Sequence, residues 1–308
     1  INGATGNPNV VSALVNDLVN GAPATVGSSG NATLAINTPA TSIGGTAVPL
    51  LDIATGVVSV PAGTSAGLYV INYRLCEKLN PTNCKDAVIT VTVDAAPVVA
   101  TNDVLPSTVG ATGNPSAGSA FTGDTINGAA ATTTNATLAV VTPATPIAGG
   151  AVPSMDPATG IVSVPAGTPA GSYSIVYKLC EKLNPTNCQN ATITVPVGVA
   201  PIVATNDTIT GINGATGNSN AGSAFTGDSI NGQPATISNA TLAVNTPAAP
   251  VAGAPVGAPV PVMSPATGVV VVPPGTPAGV YSISYKLCEK LNPTNCQDAI
   301  ISVTVDPS

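Results

Sequence analysis

The chain has no histidine and no tryptophan in 308 residues, and only two phenylalanines and six tyrosines. Lack of histidine removes the commonest general base and metal ligand near neutral pH. Charge is scarce as well: 7% of residues carry it, against about a quarter in ordinary soluble proteins. Seven residues are basic and the net charge is −7, so no basic patch can neutralise phosphates and nucleic acid is excluded as a partner. No run of about 18 apolar residues occurs, so no segment reads as a membrane insertion. No signal peptide is present and the first residue is Ile1, which reads as a mature product or a fragment. Nucleophile motifs and paired carboxylates at fixed spacing are missing, so the chain does not read as an enzyme and needs no cofactor.

What is there is 32 glycines and 30 prolines among Ala, Thr, Val and Asn. Such a composition disfavours helices and favours many short strands joined by Gly/Pro turns. One stretch stands out: Leu75-Cys76-Glu77-Lys78-Leu79-Asn80-Pro81-Thr82-Asn83-Cys84. It returns unchanged at 179–188 and 287–296, and these copies hold all six cysteines. Before it, Tyr69, Ile71, Tyr73 and Leu75 alternate onto one strand face; after it, Ala87, Ile89, Val91 and Val93 do the same. Asn80-Pro81 turns the chain between them. The alternation places both cysteines on the opposite face, across from each other. We therefore expect cross-strand disulfides Cys76–Cys84, Cys180–Cys188 and Cys288–Cys296, in an oxidising compartment. A metal or redox pair is disfavoured, because each copy has two thiols, no histidine and no Cys-x-x-Cys. Glu77, Glu181 and Glu289 repeat beside the first cysteine and read as loop structure.

Other motifs repeat with the same long period. Gly3-Ala4-Thr5-Gly6-Asn7 recurs at 110–114 and 214–218, and Asn31-Ala32-Thr33-Leu34 at 135–138 and 239–242. Pro61-Ala62-Gly63-Thr64 recurs at 165–168 and, shortened, as Pro274-Gly275-Thr276. A period near 100 suits a complete sandwich domain. The expected architecture is all-β: three tandem Ig-like antiparallel β-sandwich modules forming an extended rod. The modules are residues 1–95, 96–199 and 200–308. In the second, strands are expected over 97–103, 119–126, 136–141, 151–155, 161–164, 173–180 and 188–197. The first module begins at the counterpart of Ile212, so it lacks its opening strand and should leave a sheet edge bare. The short linkers Asp94-Ala95-Ala96-Pro97 and Gly198-Val199-Ala200-Pro201 carry a stiffening proline. At roughly 30–40 Å per module, three in a row make a semi-rigid rod.

The run Tyr-x-Ile-x-Tyr-x-Leu-Cys-Glu-Lys-Leu-Asn-Pro-Thr-Asn-Cys, followed by an alternating Ala-x-Ile-x-Val-x-Val strand, resembles tandem repeats in large secreted surface proteins of Bacteroidota such as flavobacteria. Leu14–Gly21 also resembles the Asn-Asp turn of cadherin-like and Ig-like bacterial repeats. The resemblance covers all three modules. It implies an extracellular, cell-surface location in an adhesin or surface filament. It also implies junction calcium, for which Asp94, Asn102, Asp103, Asn206 and Asp207 flank the linkers; solvated turns and strand caps are the competing reading. Asp124-Thr125-Ile126, Asp207-Thr208-Ile209 and Asp228-Ser229-Ile230 are similar to the O-glycosylation signal of that group, which marks Thr125, Thr208 and Ser229. The first copy has Asp17-Leu18-Val19 and departs from it.

The function expected is a non-catalytic structural stalk or fibre region. Its partners are neighbouring repeats or copies of the same protein, or a surface glycan or protein ligand. Two rivals are a self-assembling filament with strand donation and a ligand-binding, calcium-dependent adhesin module. No binding patch is marked, since the six tyrosines and Phe121 and Phe225 read as core.

Overall fold

The structure is a computed structural model and describes residues 1–307. Among the described residues every regular element is a β-strand, and no helix is long and apolar enough to cross a membrane.

The second module shows the plan. Its main sheet runs in the order Asp103–Val104, Cys188–Gly198, Gly171–Glu181, Ala136–Thr142, with Thr108–Val109 also pairing Cys188–Gly198. A second sheet holds Asn114–Ser119, Ile161–Val164 and Ser154–Met155. A small third one joins Ala129–Ala130, Thr125–Ile126 and Val98–Val99. Between the sheets lie Tyr173, Ile175, Tyr177 and Leu179 from one long strand and Ala191, Ile193, Val195 and Val197 from its partner. Val162, Val164, Met155 and Ala120 close the core from the other side. The alternating residues thus bury one face, as period two requires. The third module repeats this with its own core around Tyr281, Ile283, Tyr285, Leu287, Ile301 and Val303.

Three features differ from the expected strands. The 97–103 segment is two strands, not one. Val98–Val99 pairs antiparallel with Thr125–Ile126, then the chain crosses and Asp103–Val104 pairs parallel with Ile193–Thr194. In between, Ala100 N–H donates to Gln189 Oε1 at 2.8 Å and Thr101 N–H to Asp124 Oδ1 at 2.7 Å, so side chains satisfy the backbone during the crossing. The sheets are therefore not purely antiparallel; the opening strand is parallel, and Asp207–Asn213 repeats this against Cys296–Asp306. Second, the 119–126 segment is mostly a turn, with Gly123 at φ 73°, between the strands Asn114–Ser119 and Thr125–Ile126. Third, 151–155 is strand only at Ser154–Met155, because Pro153 has no N–H to donate.

In the first module the main sheet has only Ala32–Thr38, Gly67–Glu77 and Cys84–Val93. On its outer edge Cys84–Val93 is met by the Ile1 amino group, which donates to the Thr92 carbonyl at 3.4 Å, and an isolated Asn2–Asp94 bridge follows just past its end. As a result Ala87 and Ile89 are half-buried, while their counterparts Ala191, Ile193, Ala299 and Ile301 are buried.

Candidate functional site: the stapled loop at the module junctions

Each cysteine pair is directly opposite in register at the mouth of its hairpin and is closed as a disulfide: Cys76–Cys84, Cys180–Cys188 and Cys288–Cys296. No free cysteine remains among the described residues. Inside the loop Asn187 N–H donates to the Asn184 carbonyl at 2.9 Å, and Asn83 N–H to Asn80 at 2.8 Å. The loop is also tied to its own module, because Lys182 N–H donates to the Asn135 carbonyl at 2.9 Å. The asparagine of the repeated Asn-Ala-Thr-Leu motif braces the turn before it: Thr132 N–H donates to Asn135 Oδ1 at 2.8 Å, and Asn135 Nδ2 donates to the Ala130 carbonyl at 3.0 Å.

The loop's acids and amides face the preceding linker. Ala96 N–H donates to Glu181 Oε2 at 3.1 Å. Asn187 Nδ2 donates both to the Ala96 carbonyl at 2.7 Å and to Glu181 Oε2 at 2.8 Å. Glu289 and Asn295 hold Ala200 in the same way, at 3.1 and 2.8 Å. One step further out, the loop tip reaches the preceding module. Ala66 N–H donates to Asn184 Oδ1 at 2.7 Å, and Ser65 Oγ to the Leu183 carbonyl at 3.3 Å. At the second junction Ala170 N–H donates to Asn292 Oδ1 at 2.7 Å. Glu181 is 2% exposed and Asn184 8%. The junction gives Glu181 Oε2 and Asn184 Oδ1 their partners, while Glu181 Oε1 and Asn184 Nδ2 stay buried without a hydrogen bond. At the second junction Asn292 Nδ2 also donates to Glu289 Oε1 at 2.8 Å.

The receiving surface is built from two other repeated motifs. Gly167 N–H donates to the Gly110 carbonyl at 2.9 Å, and a Cβ on Gly110 would lie 1.9 Å from the Thr168 carbonyl oxygen. Only glycine allows that approach. Tyr173 Oη donates to the Pro169 carbonyl at 2.8 Å and fixes the turn from the core side. Ala4 and Ala111, at the tips of the Gly-Ala-Thr-Gly turns, pack on the core of the following module. A groove lined by Ala111, Gly167, Ile230 and Leu291 marks the seam.

The calcium candidates do not converge. Asp94 pairs with the Ile1 amino group at 2.8 Å, and Asn102 and Asn206 accept the backbone N–H groups of Thr192 and Ile300 at 2.9 Å. Asp103 and Asp207 point inward, each with a buried Oδ2 that has no hydrogen-bond partner. Burial, reinforced by Asp124 and Asp228 respectively, pushes each carboxyl up to about 6. Among the described residues no group of three or more His, Cys, Asp or Glu side chains could hold a metal ion.

Of the glycosylation candidates, Thr208 is exposed on its strand, whereas Thr125 and Ser229 are half-buried. Asp124 and Asp228 beside them are buried and accept Tyr177 and Tyr285 hydroxyls at 2.8 and 2.9 Å. Tyr73 donates likewise to Asp17 at 2.8 Å, and burial with that bond pushes its hydroxyl up to about 12. Asp124 and Asp228 therefore have a structural task, as does Asp17 in the first module, which lacks the motif.

No family model matches the chain, and no curated protein matches it. Solved structures with a similar arrangement include the human desmocollin-1 ectodomain, at TM-score 0.29 and 9% identity, covering 99% of this chain and 58% of that one. Mouse cadherin-23 EC22-24 has TM-score 0.31 and 14% identity, with 100% and 94% covered. Mouse protocadherin-24 EC1-3 has TM-score 0.31 and 13% identity, with 89% and 90% covered. Likeness at this level says nothing of function.

Proposed function

We propose that this chain is the spacer region, a stalk or fibre, of a secreted bacterial surface protein of the adhesin type, as its resemblance to Bacteroidota repeats suggests. Its work is mechanical: to hold something away from the cell at a defined distance. The observation that carries this reading is that the most invariant loop of the chain is used twice for the same purpose. At both junctions it grips the linker through Glu and Asn and the preceding module through a second Asn. Disulfides on loops near the surface fit an oxidising exterior.

Small-angle scattering from the dilute chain tests the spacer reading. Three modules end to end give a radius of gyration of about 30 Å, whereas a compact body of this length gives about 19 Å. A value near the latter overturns the reading.

A further inference from the structure

In the third module the loop joining Ala240–Thr246 to Val262–Met263 spans 247–261, four residues longer than its counterparts 39–49 and 143–153. Loops of such length without regular structure usually carry a function. This one holds Ala-Pro-Val three times, at 249–251, 254–256 and 258–260, and no charged residue. Val251 and Val260 pack on the module's core, and a Cβ on Gly279 would lie 2.8 Å from Val251 Cγ1. Val256, between these two anchors, is fully exposed. The second module's loop has no such residue, since its Ile147 and Val152 both pack on the core. Val256 sits at the second position of a turn: Ala258 N–H donates to the Pro255 carbonyl at 3.0 Å, and Gly257 has φ 80°. Ala254 N–H donates to the Val251 carbonyl at 3.1 Å and closes the turn before it. No strand pairs with this segment.

We propose that the Val256–Gly257 bond is a proteolytic processing site, cut by an endoprotease whose specificity pocket takes a small aliphatic side chain. An extended substrate pairs with its receptor like an added strand and offers alternate side chains to pockets. Val256 offers the side chain, Pro255 holds its own φ fixed, and Gly257 and Ala258 add little bulk beyond the bond. The segment between the anchored valines opens by losing two turn bonds, while the core stays in place. A cut after Ala252 would instead pull Val251 from Gly279. Hydrolysis adds one water across the bond: Val256 gains a carboxylate, and the Gly257 nitrogen takes up a proton and leaves as an amine. No disulfide then ties the pieces, because Cys288 and Cys296 both follow the cut. Strand pairing holds them together: Asp207–Asn213 with Cys296–Asp306, Asn218–Ser223 with Val269–Val272, and Ala240–Thr246 with Gly279–Glu289. The later piece also carries Glu289, Asn292 and Asn295, which grip the linker and the second module. The cut thus turns the third module into a clasp whose unfolding releases 257–308 and opens the second junction. The site rests on the loop alone and does not depend on the spacer reading.

The test is limited digestion of the whole folded chain with pancreatic elastase and, in parallel, with trypsin, read by intact mass. The first elastase products should be 1–256 and 257–308. They should elute together in native size exclusion and apart in concentrated urea without reductant. Trypsin should leave this loop whole, because 247–261 contains no lysine or arginine. Val256→Lys should slow elastase at this bond at least about 10-fold and open the same bond to trypsin. The variant should melt with the parent, since the side chain lies in solvent. A first elastase cut elsewhere, as after the exposed Leu79 or Ile237, or equal cutting within 143–153, would overturn the proposal. So would a folded chain that resists elastase, a variant that trypsin does not cut here, or pieces that part without denaturant.

Discussion

Replacing Asp103 and Asp207 with asparagine removes one inward-facing carboxyl from each of the second and third modules. Each has a buried oxygen without a partner, and burial together with a neighbouring aspartate raises its pKa to about 6. In the unfolded chain the same group titrates near 3.9. Between about pH 4 and 6 the folded state therefore holds more protons than the unfolded one, and stability rises as pH falls through that window. Above pH 6 the penalty is fully present. Two pH units correspond to roughly 3 kcal/mol at most, and the partial access of Asp103 to water lowers this to about 1–2 kcal/mol per module. For a domain near 100 residues that is a melting shift of roughly 5–10 °C.

Calorimetry between pH 7.5 and 4.5 reads it. In the parent chain, transitions of the second and third modules should move up as pH drops. In the Asp103→Asn, Asp207→Asn variant they should be level across the window, because the amide, like the protonated acid, carries no charge against Asp124 or Asp228. The first module serves as the internal control, since it lacks the strand that carries this carboxyl. Asp86, held down to about 2 by Arg74 and then by Asn37, contributes stability above the unfolded value that is lost only as pH falls toward 2, outside the window. A level or falling transition in the parent chain, or an unchanged slope in the variant, refutes the reasoning.

Three further outcomes follow from the junctions and the loops. Removing one staple as Cys76→Ser, Cys84→Ser should cost the first module about 2–3 kcal/mol in denaturant unfolding, from loop closure alone; the same change at Cys180 and Cys188 should also speed hydrogen exchange at Ala66, whose N–H the loop holds. Asn184→Ala leaves that N–H without its acceptor and should weaken the first junction by about 1 kcal/mol, read as faster Ala66 exchange with unchanged exchange in the second-module core. Removing calcium with a chelator, or adding it in millimolar amounts, should leave every melting transition within about 1 °C; a rise of several degrees on addition would reveal a donor set formed only in the presence of the ion.

The hairpins were legible because burial on one face leaves a period-two trace in Tyr69, Ile71, Tyr73 and their counterparts. The staples were legible because continuing that period set the cysteines opposite each other. The crossing of 97–103 was not, since its backbone is satisfied by Asp124 and Gln189, which are distant in sequence. The 119–126 run holds the strand formers Phe121, Thr122, Thr125 and Ile126 but turns at Gly123, and composition alone cannot separate a turn from a strand that short. The role of Glu181, Asn184 and Asn187 was hidden for another reason. Their partners are backbone groups of the linker and of another module, and a backbone N–H has no signature in the letters. The one available sign was that ten residues stayed identical in three copies while nearby loops drifted.

That use of backbone partners also explains how the junctions tolerate drift. The receiving turn reads Thr64-Ser65-Ala66 in the first module and Thr168-Pro169-Ala170 in the second. Serine adds a hydroxyl contact to Leu183, and proline removes an N–H, yet the bond to the loop asparagine is 2.7 Å in both cases, because the donor is the following alanine. The recognising side must therefore be exact in sequence, and the recognised side need only keep its turn. An amide acceptor in place of a carboxylate at the tip suits a chain with so few charges, since its hydrogen bond needs no counter-ion and is little screened by salt. Because loop and turn lie at opposite ends of each module, every junction has the same polarity, and each module stabilises only its immediate neighbours. Stiffness then comes from repeating one local contact, with no need for a long-range core that spans the array.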